Sequence, residues 1–181
     1  MADLTSTITY ILSIGTIIVD LFIIFAIFLI LIKEKLPDFI DNLIKKFWLY
    51  IAFIISLGAS LASFYYSEIA KFEPCTLCWY QRSFMFPLVF LFGMAIYKKE
   101  VLIKPYAKLM CIIGSLIAIY HYLLQIGVTT IAPCTLTVGG VSACVQRPFV
   151  AFGYITIPIM SLTSFLLILV ILKFSDTSKS E

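Results

Sequence analysis

The sequence predicts an all-α membrane protein with five membrane-spanning helices. Of its 181 residues, 62% are hydrophobic and only 13% are charged, and the mean hydropathy is +1.08. Ordinary soluble domains are about half apolar and about a quarter charged, so this composition excludes an ordinary globular chain. The apolar residues also form five runs that are long enough to cross a bilayer core of ~30 Å at ~1.5 Å per residue.

Polar breaks separate the five predicted spans. We expect that the first run is not cleaved off as a signal peptide, because the start of the chain lacks the basic region of such a peptide. The loop of residues 33 to 46 before the second run is rich in lysine and has room for a short interfacial helix. Pro87 is expected to kink the third span, which is tolerated within a bundle. The five runs are residues 7 to 32, 47 to 66, about 76 to 97, 109 to 127 and 149 to 172.

The basic residues predict the orientation. Ten of the thirteen lie in three segments, residues 33 to 46, 98 to 108 and 173 to 181. Short loops rich in Lys and Arg stay in the cytoplasm. We therefore expect the N-terminus outside, the C-terminus in the cytoplasm, and the cysteine-bearing segments on the outer, oxidising face. Nucleic acid is not an expected partner, because the basic residues lie in loops between helices rather than on one folded face.

A C-x-x-C pair, Cys75 and Cys78, stands at the start of the third span. We expect Cys75 near the N-cap and Cys78 in the first helical turn, where unpaired backbone N–H groups favour an anion. The thiolate is the reactive form of cysteine, and a nearby cation favours it. Arg82, four residues after Cys78, should project from the same helix face and supply that cation. The pattern predicts a redox centre at a membrane surface.

Two static roles remain as alternatives to redox chemistry. A disulfide between Cys75 and Cys78 closes too short a loop to restrict the unfolded chain much. A zinc site shared with Cys134 and Cys144 has the right number of ligands, but nine residues separate that second pair and the outer face disfavours reduced thiols. We expect no metal ligand here. Trp79 follows Cys78 where haem attachment requires histidine, which excludes that cofactor.

Three strings, PCTLCWYQR, YHYLLQIG and CVQRPFVAFGYITIPIM, resemble the DsbB family of membrane thiol oxidases, and most closely its BdbC branch, over about residues 47 to 172. The resemblance implies a four-helix bundle in the bacterial plasma (inner) membrane. In this chain an extra transmembrane helix and a cytoplasmic loop, residues 1 to 46, precede the bundle, and a cytoplasmic tail, residues 173 to 181, follows it. It implies that the bundle re-oxidises a DsbA-like thioredoxin-fold protein and passes the electrons to a quinone, ubiquinone or menaquinone, in the surrounding membrane lipid.

The resemblance also implies a role for each paired cysteine. Cys134 is similar to the cysteine that forms a mixed disulfide with the partner protein, and Cys144 to its resolving companion. Cys75 would exchange with that outer pair. Cys78 would face the quinone, with Arg82 stabilising its thiolate.

His121 and Gln125, one turn apart in the fourth span, are candidates for contact with the quinone or its protons. A histidine that hydrogen-bonds to a neighbouring helix is an equal alternative. Asp20 in the first span lies at a depth similar to that of His121, counted from the nearest cytoplasmic lysines, so we hypothesise that the two interact. We assign no chemistry to Cys111, since a lone thiol most often serves packing.

The alternative function is a non-catalytic membrane subunit or a small transporter in which both cysteine pairs are structural disulfides. Gly139 and Gly140, between the outer cysteines, favour the mobility that disulfide exchange requires, but they fit an ordinary turn equally well. A permanent disulfide across this loop also stays open.

Overall fold

The computed structural model of the chain describes residues 2–32, 37–100, 102–129 and 144–176. Within these ranges the regular structure is helical, apart from one isolated antiparallel bridge between Ala151 and Ile155. The all-α prediction is confirmed. The helices are α1 (Ala2–Leu31), α2 (Asp38–Phe64), which continues into a π-helical turn (Tyr65–Ile69), α3 (Thr76–Lys98), α4 (Lys104–Gln125) and α5 (Ile157–Asp176).

Four of the described helices are long and apolar enough to cross a membrane: α1, α2 with its π-helical turn, α4 and α5. The multi-pass membrane character is therefore confirmed. The remaining helix, α3, has 23 residues but carries Gln81 and Arg82 in its first half. Both side chains are buried among the other helices, so they lower the apolar character of α3 without exposing a charge to lipid. The fifth span and the orientation stay predictions.

The second predicted boundary is wrong, because α2 begins at Asp38 rather than at residue 47. Pro37 precedes the helix with a fixed φ of −49° and has no N–H to satisfy. One turn later, Lys45 lies 2.7 Å from Asp41 in an ion pair of i,i+4 spacing, which stabilises a helix in water. Most of the lysine-rich loop is therefore an extension of α2.

The last two helices also begin at other residues than predicted. α4 begins at Lys104 rather than residue 109, with Pro105 in its first turn, where a missing N–H costs nothing. α5 begins at Ile157 rather than residue 149, because Phe152 and Gly153 have φ angles of 51° and 81° and form a turn. It then continues to Asp176, into the predicted tail.

Consecutive helices of the bundle α2 to α5 run antiparallel. The end of α2 meets the start of α3, where Arg82 donates to Ser63. Further along this pair, Gly93 of α3 lies against the ring of Phe53, near the middle of α2. α4 and α5 approach closely at Gly114, where an added Cβ would lie 2.6 Å from Cε1 of the buried Phe165. Helix α3 therefore runs antiparallel along the second half of α2.

Helix α1 packs along α5 and holds Asp20 there. The hydroxyl of Thr163 donates to Asp20 at 2.6 Å, and that of Tyr154 donates at 3.3 Å. No hydrogen bond joins Asp20 to His121, although both are described, because the imidazole points from α4 towards α3. The structure thus does not support the hypothesis that these two residues interact.

Part of the predicted outer loop lies outside the described residues. This concerns Cys134 together with Gly139 and Gly140, so their assigned roles stay predictions. The proposed division into an extra helix, a bundle and a tail also stays a prediction.

Candidate redox site

A cavity of about 610 Å³ lies between the start of α3 and the end of α4. Its volume is within the range of ~300–1,000 Å³ that is usual for small-molecule sites. The last turns of α2 and the segment after Cys144 complete its walls. The structure brings together in this cavity five of the predicted site residues: Cys75, Cys78, Arg82, His121 and Gln125.

Cys75 is the N-cap of α3, as predicted, and its sulfur accepts from the backbone N–H of Cys78 at 3.4 Å. Both residues carry free thiols, with their sulfurs 3.1 Å apart. A disulfide bond measures about 2.05 Å, so the two thiols are in contact and can form one without rearrangement of the helix. Cys75 is buried, whereas Cys78 is partly exposed to the cavity.

His121 joins α4 to this cysteine pair. Its Nε2 lies 3.6 Å from Sγ of Cys75, and its Nδ1 lies 3.0 Å from the amide nitrogen of Gln81. Because an amide nitrogen can only donate, a neutral imidazole in this arrangement accepts at Nδ1 and carries its proton on Nε2. Gln81 therefore orients His121 with an N–H group towards the sulfur of Cys75. Both side chains are buried.

These contacts favour the anionic form of Cys75, which lies just before α3. The hydrogen bond between the two cysteine sulfurs has the largest influence and lowers the pKa of Cys75. His121 lowers this pKa further, while burial acts in the opposite direction. In the dithiol state these contacts favour a thiolate on Cys75 rather than on Cys78, whereas the sequence resemblance implied a thiolate on Cys78.

Arg82 places a buried positive charge beside the cavity. Only 8% of the residue is exposed, and its Nε and one Nη donate to the hydroxyl and the backbone oxygen of Ser63, each at 2.8 Å. The guanidinium also lies 5.2 Å from the ring centre of Trp79. No carboxylate in the described part of the chain forms a salt bridge with it. Its charge interacts through space with Cys78, Glu68 and Cys75, and a buried cation in such a place favours an anion in the cavity.

Gln125 forms the next part of the wall, where α4 ends. Its amide nitrogen donates to the backbone oxygen of Gln146 at 3.0 Å, and Arg147 donates to the backbone oxygen of Gln125. Its amide oxygen is buried and has no hydrogen-bond partner among the described residues. Buried acceptors are nearly always paired, so this oxygen is available to a donor from a bound molecule.

The α2 wall of the cavity is formed by the π-helical turn, Tyr65–Ile69. Such turns within α-helices occur frequently at functional sites. Tyr66 in this turn lines the cavity, stacks on Phe72 with ring centres 5.8 Å apart, and donates to the hydroxyl of Thr9 in α1 at 3.3 Å. The extra helix α1 therefore supports one wall of the site through Thr9.

Cys144 connects the outer loop to the site. It is fully buried and disulfide-bonded, so it is not available as a zinc ligand in this state. It belongs to the same buried cluster as Cys75, together with Leu77 and Leu124. A cysteine of the outer pair is thus packed beside the inner pair.

Sequence reasoning missed three residues that shape the site. Gln81 stands next to Arg82 in the motif, but nothing in the sequence showed that it reaches an imidazole on another helix. Ser63 was notable only as a small residue in an apolar helix. Arg147 was counted only as one basic residue of an outer segment. Their roles depend on contacts between helices, which spacing along one helix does not predict.

Comparisons with known proteins agree with the predicted family. The family model described as "Disulfide bond formation protein DsbB" matches residues 45–174, a range that excludes α1. "Disulfide bond formation protein C" of Bacillus subtilis (strain 168) is 43% identical over 136 residues, which is 74% of this chain and 96% of that protein. A "Probable disulfide formation protein" of Chlamydia trachomatis serovar D is 38% identical over 136 residues, 75% of this chain and 97% of that protein. No solved structure matches the chain.

Proposed function

Since the chain belongs to the DsbB family of disulfide bond formation proteins, we propose that this membrane thiol oxidase re-oxidises a DsbA-like thioredoxin-fold protein and passes the electrons to a membrane quinone. The observation that carries the proposal is the position of Cys144 and Cys75 in one buried cluster, beside a cavity that is lined by the buried cation of Arg82. A pair of purely structural disulfides would require neither the contact nor the cation.

Electrons pass inward through two exchanges. The partner first reduces the outer pair, Cys134 and Cys144. A thiolate of this outer pair then attacks the sulfur of Cys75. The disulfide between Cys75 and Cys78 breaks, and Cys78 leaves as a thiolate. The second outer thiol then attacks the mixed disulfide, which restores the outer disulfide and leaves Cys75 and Cys78 as a dithiol holding two electrons. The described cysteines correspond to this product, with Cys144 bonded and both inner thiols free.

The two groups beside the pair serve different moments of this sequence. While Cys75 is engaged in the mixed disulfide, Cys78 carries the negative charge, and Arg82 on the same helix face stabilises it. Once Cys75 is released, the contact between the two sulfurs and the contact with His121 favour the charge on Cys75. His121 can hold or release a proton at Nε2 as the sulfur gains or loses charge.

The residues around the cavity fit a quinone head group. Arg82 supplies donors for a quinone oxygen, His121 lines the same cavity beside Cys75, and the unpaired amide oxygen of Gln125 supplies an acceptor for a hydroxyl of the reduced form. A bound quinone supplies the acceptor for the two electrons and two protons that the dithiol gives up as its disulfide re-forms. The residues of the chain bind it, orient it and stabilise the thiolate.

In this proposal all five α-helices cross the plasma membrane, with the two cysteine pairs on the extracytoplasmic face. Support comes from the antiparallel course of α3 between α2 and α4, and from the concentration of lysine at the opposite end of the bundle. The inward-facing Gln81 and Arg82 account for the lower hydropathy of α3.

The test uses the purified full-length protein with a reduced DsbA-like partner and added quinone. Partner oxidation and quinone reduction are followed together. We expect Cys78→Ser and Cys134→Ser each to abolish turnover, and the control Cys111→Ser to retain it, because Cys111 is buried in the main core away from the cavity. Undiminished turnover in both active-site variants would refute the proposal and favour the alternative of a non-catalytic membrane subunit or small transporter.

A further inference from the structure

Three potential metal ligands meet at the inner pair. Sγ of Cys75, Sγ of Cys78 and a ring nitrogen of His121 all lie within 4.8 Å of one another. Thiolate and imidazole are the preferred ligands of Zn²⁺, and two residues between cysteines is a usual spacing in zinc sites. The zinc site considered from the sequence required four cysteines. The structure offers a different set, in which His121 completes a group of three.

The distances are close to those of a tetrahedral site. With Zn–S of about 2.3 Å and Zn–N of about 2.0 Å, two ligand atoms are separated by about 3.5 Å for S and N and by about 3.8 Å for two sulfurs. The observed separations are 3.6 Å between Cys75 and His121 and 3.1 Å between the sulfurs. The first already fits. The second needs an increase of about 0.7 Å, which a small rotation of the partly exposed Cys78 can supply.

The surroundings suit a bound metal as well. A metal-ligating histidine generally donates its second ring N–H to a neighbouring acceptor, and the amide of Gln81, at 3.0 Å from Nδ1, can turn its oxygen towards the ring for this purpose. The cavity gives a cation access and leaves the fourth position to water. Two thiolates balance the charge of a dication, so the filled site would add no net charge beside Arg82.

We propose that the reduced inner pair binds one Zn²⁺ through Cys75, Cys78 and His121, and that the bound ion holds the pair in its reduced state. The oxidised pair does not bind, because a disulfide offers no thiolate ligands. Zinc on the outer face would therefore act as a state-selective inhibitor. The binding claim requires neither the quinone nor the partner protein, whereas the inhibition rests on the proposed function.

The binding test uses the full-length double variant Cys134→Ser/Cys144→Ser, so that the outer thiols cannot contribute. The protein is reduced with a phosphine and titrated with Zn²⁺ against a chromophoric chelator. Co²⁺ serves as a second probe, because thiolate ligation gives it a sulfur-to-metal absorption band. We expect one ion per reduced protein and none after oxidation of the inner pair.

Further substitutions in this background identify the ligands. Cys78→Ser should abolish binding, and His121→Ala should weaken it at least tenfold. Gln81→Ala should weaken it roughly 10- to 100-fold by removing the group that orients the imidazole. Cys111→Ser is the matched control and should bind as tightly as the parent. Thermal unfolding of each metal-free variant checks that it is folded.

Several outcomes would overturn the inference. They are absence of zinc binding by the folded, reduced protein, equal binding by the oxidised protein, or unchanged affinity in both Cys78→Ser and His121→Ala. The titration contains no quinone and no partner. Absence of zinc binding would therefore contradict the zinc site without contradicting the proposed function, which the turnover experiment tests separately. A protein that binds zinc but shows no turnover would contradict the proposed function alone.

Discussion

Replacing Arg82 with methionine removes the cation from the cavity while keeping a side chain of similar length. In the native protein Arg82 is 8% exposed, its guanidinium donates twice to Ser63 at 2.8 Å, and it forms no salt bridge with a carboxylate in the described ranges. A hydrogen bond that involves a charged group contributes about 1.5–3 kcal/mol. Because 1.4 kcal/mol corresponds to about a tenfold change in affinity, we expect the apparent affinity for quinone to fall roughly 10- to 100-fold.

Stability should change much less in this variant, because two effects oppose each other. The backbone oxygen and the hydroxyl of Ser63 lose a donor, which is unfavourable. At the same time, the protein no longer has to bury an unpaired charge, which is favourable. A thermal unfolding curve close to that of the native protein would show that a change in turnover does not reflect unfolding.

The assay is the quinone dependence of partner oxidation by full-length protein. Arg82→Met should raise the KM for quinone, and Arg82→Lys should have an intermediate effect, because lysine keeps the charge but not the paired donors. Lys98→Met is the matched control: it removes an exposed cation from the last turn of the same helix, so the KM should not change. An unaltered KM for quinone in Arg82→Met would refute the role assigned to this residue.

Three further substitutions test the packing around the site. Gly114→Ala forces a Cβ against the ring of Phe165 and should lower the free energy of unfolding, measured by denaturation, by about 1–3 kcal/mol. The control is Gly58→Ala, whose added Cβ meets no atom within 4 Å, so this variant should be neutral or stabilising in the same experiment. Gln81→Ala leaves a buried ring nitrogen without its partner, so exchange between the two cysteine pairs, followed by thiol trapping, should slow; an unchanged rate would show that the imidazole is oriented by other contacts. Asp20→Asn should retain turnover and lose only about 1 kcal/mol of stability, because its partners lie on the α5 side and outside the cavity; loss of turnover would revive its predicted link to the imidazole.

Much of the site was predictable because its signals are local. The C-x-x-C pair at the start of an apolar run predicted a capped helix, and Cys75 is that cap. The spacing of four residues between Cys78 and Arg82 predicted a shared face, and both line the cavity. The helix boundaries were less predictable. A polar turn such as that of Asp41 and Lys45 extends a helix beyond its apolar run. A left-handed residue such as Phe152 delays the start of a helix within an apolar run.

Hydropathy and the spacing of the cysteine motif depend only on neighbouring residues, so the sequence was enough to predict a helical membrane protein with a redox-active cysteine pair. Its resemblance to the DsbB family added the disulfide bond formation class. The tertiary structure decided which groups meet. Packing of α4 against α3 brings His121 to Cys75, with Gln81 holding its ring, and packing of α1 against α5 gives Asp20 partners there. Such contacts are set by how helices cross and which side chains fill the space between them, and no periodicity within a single helix contains that information.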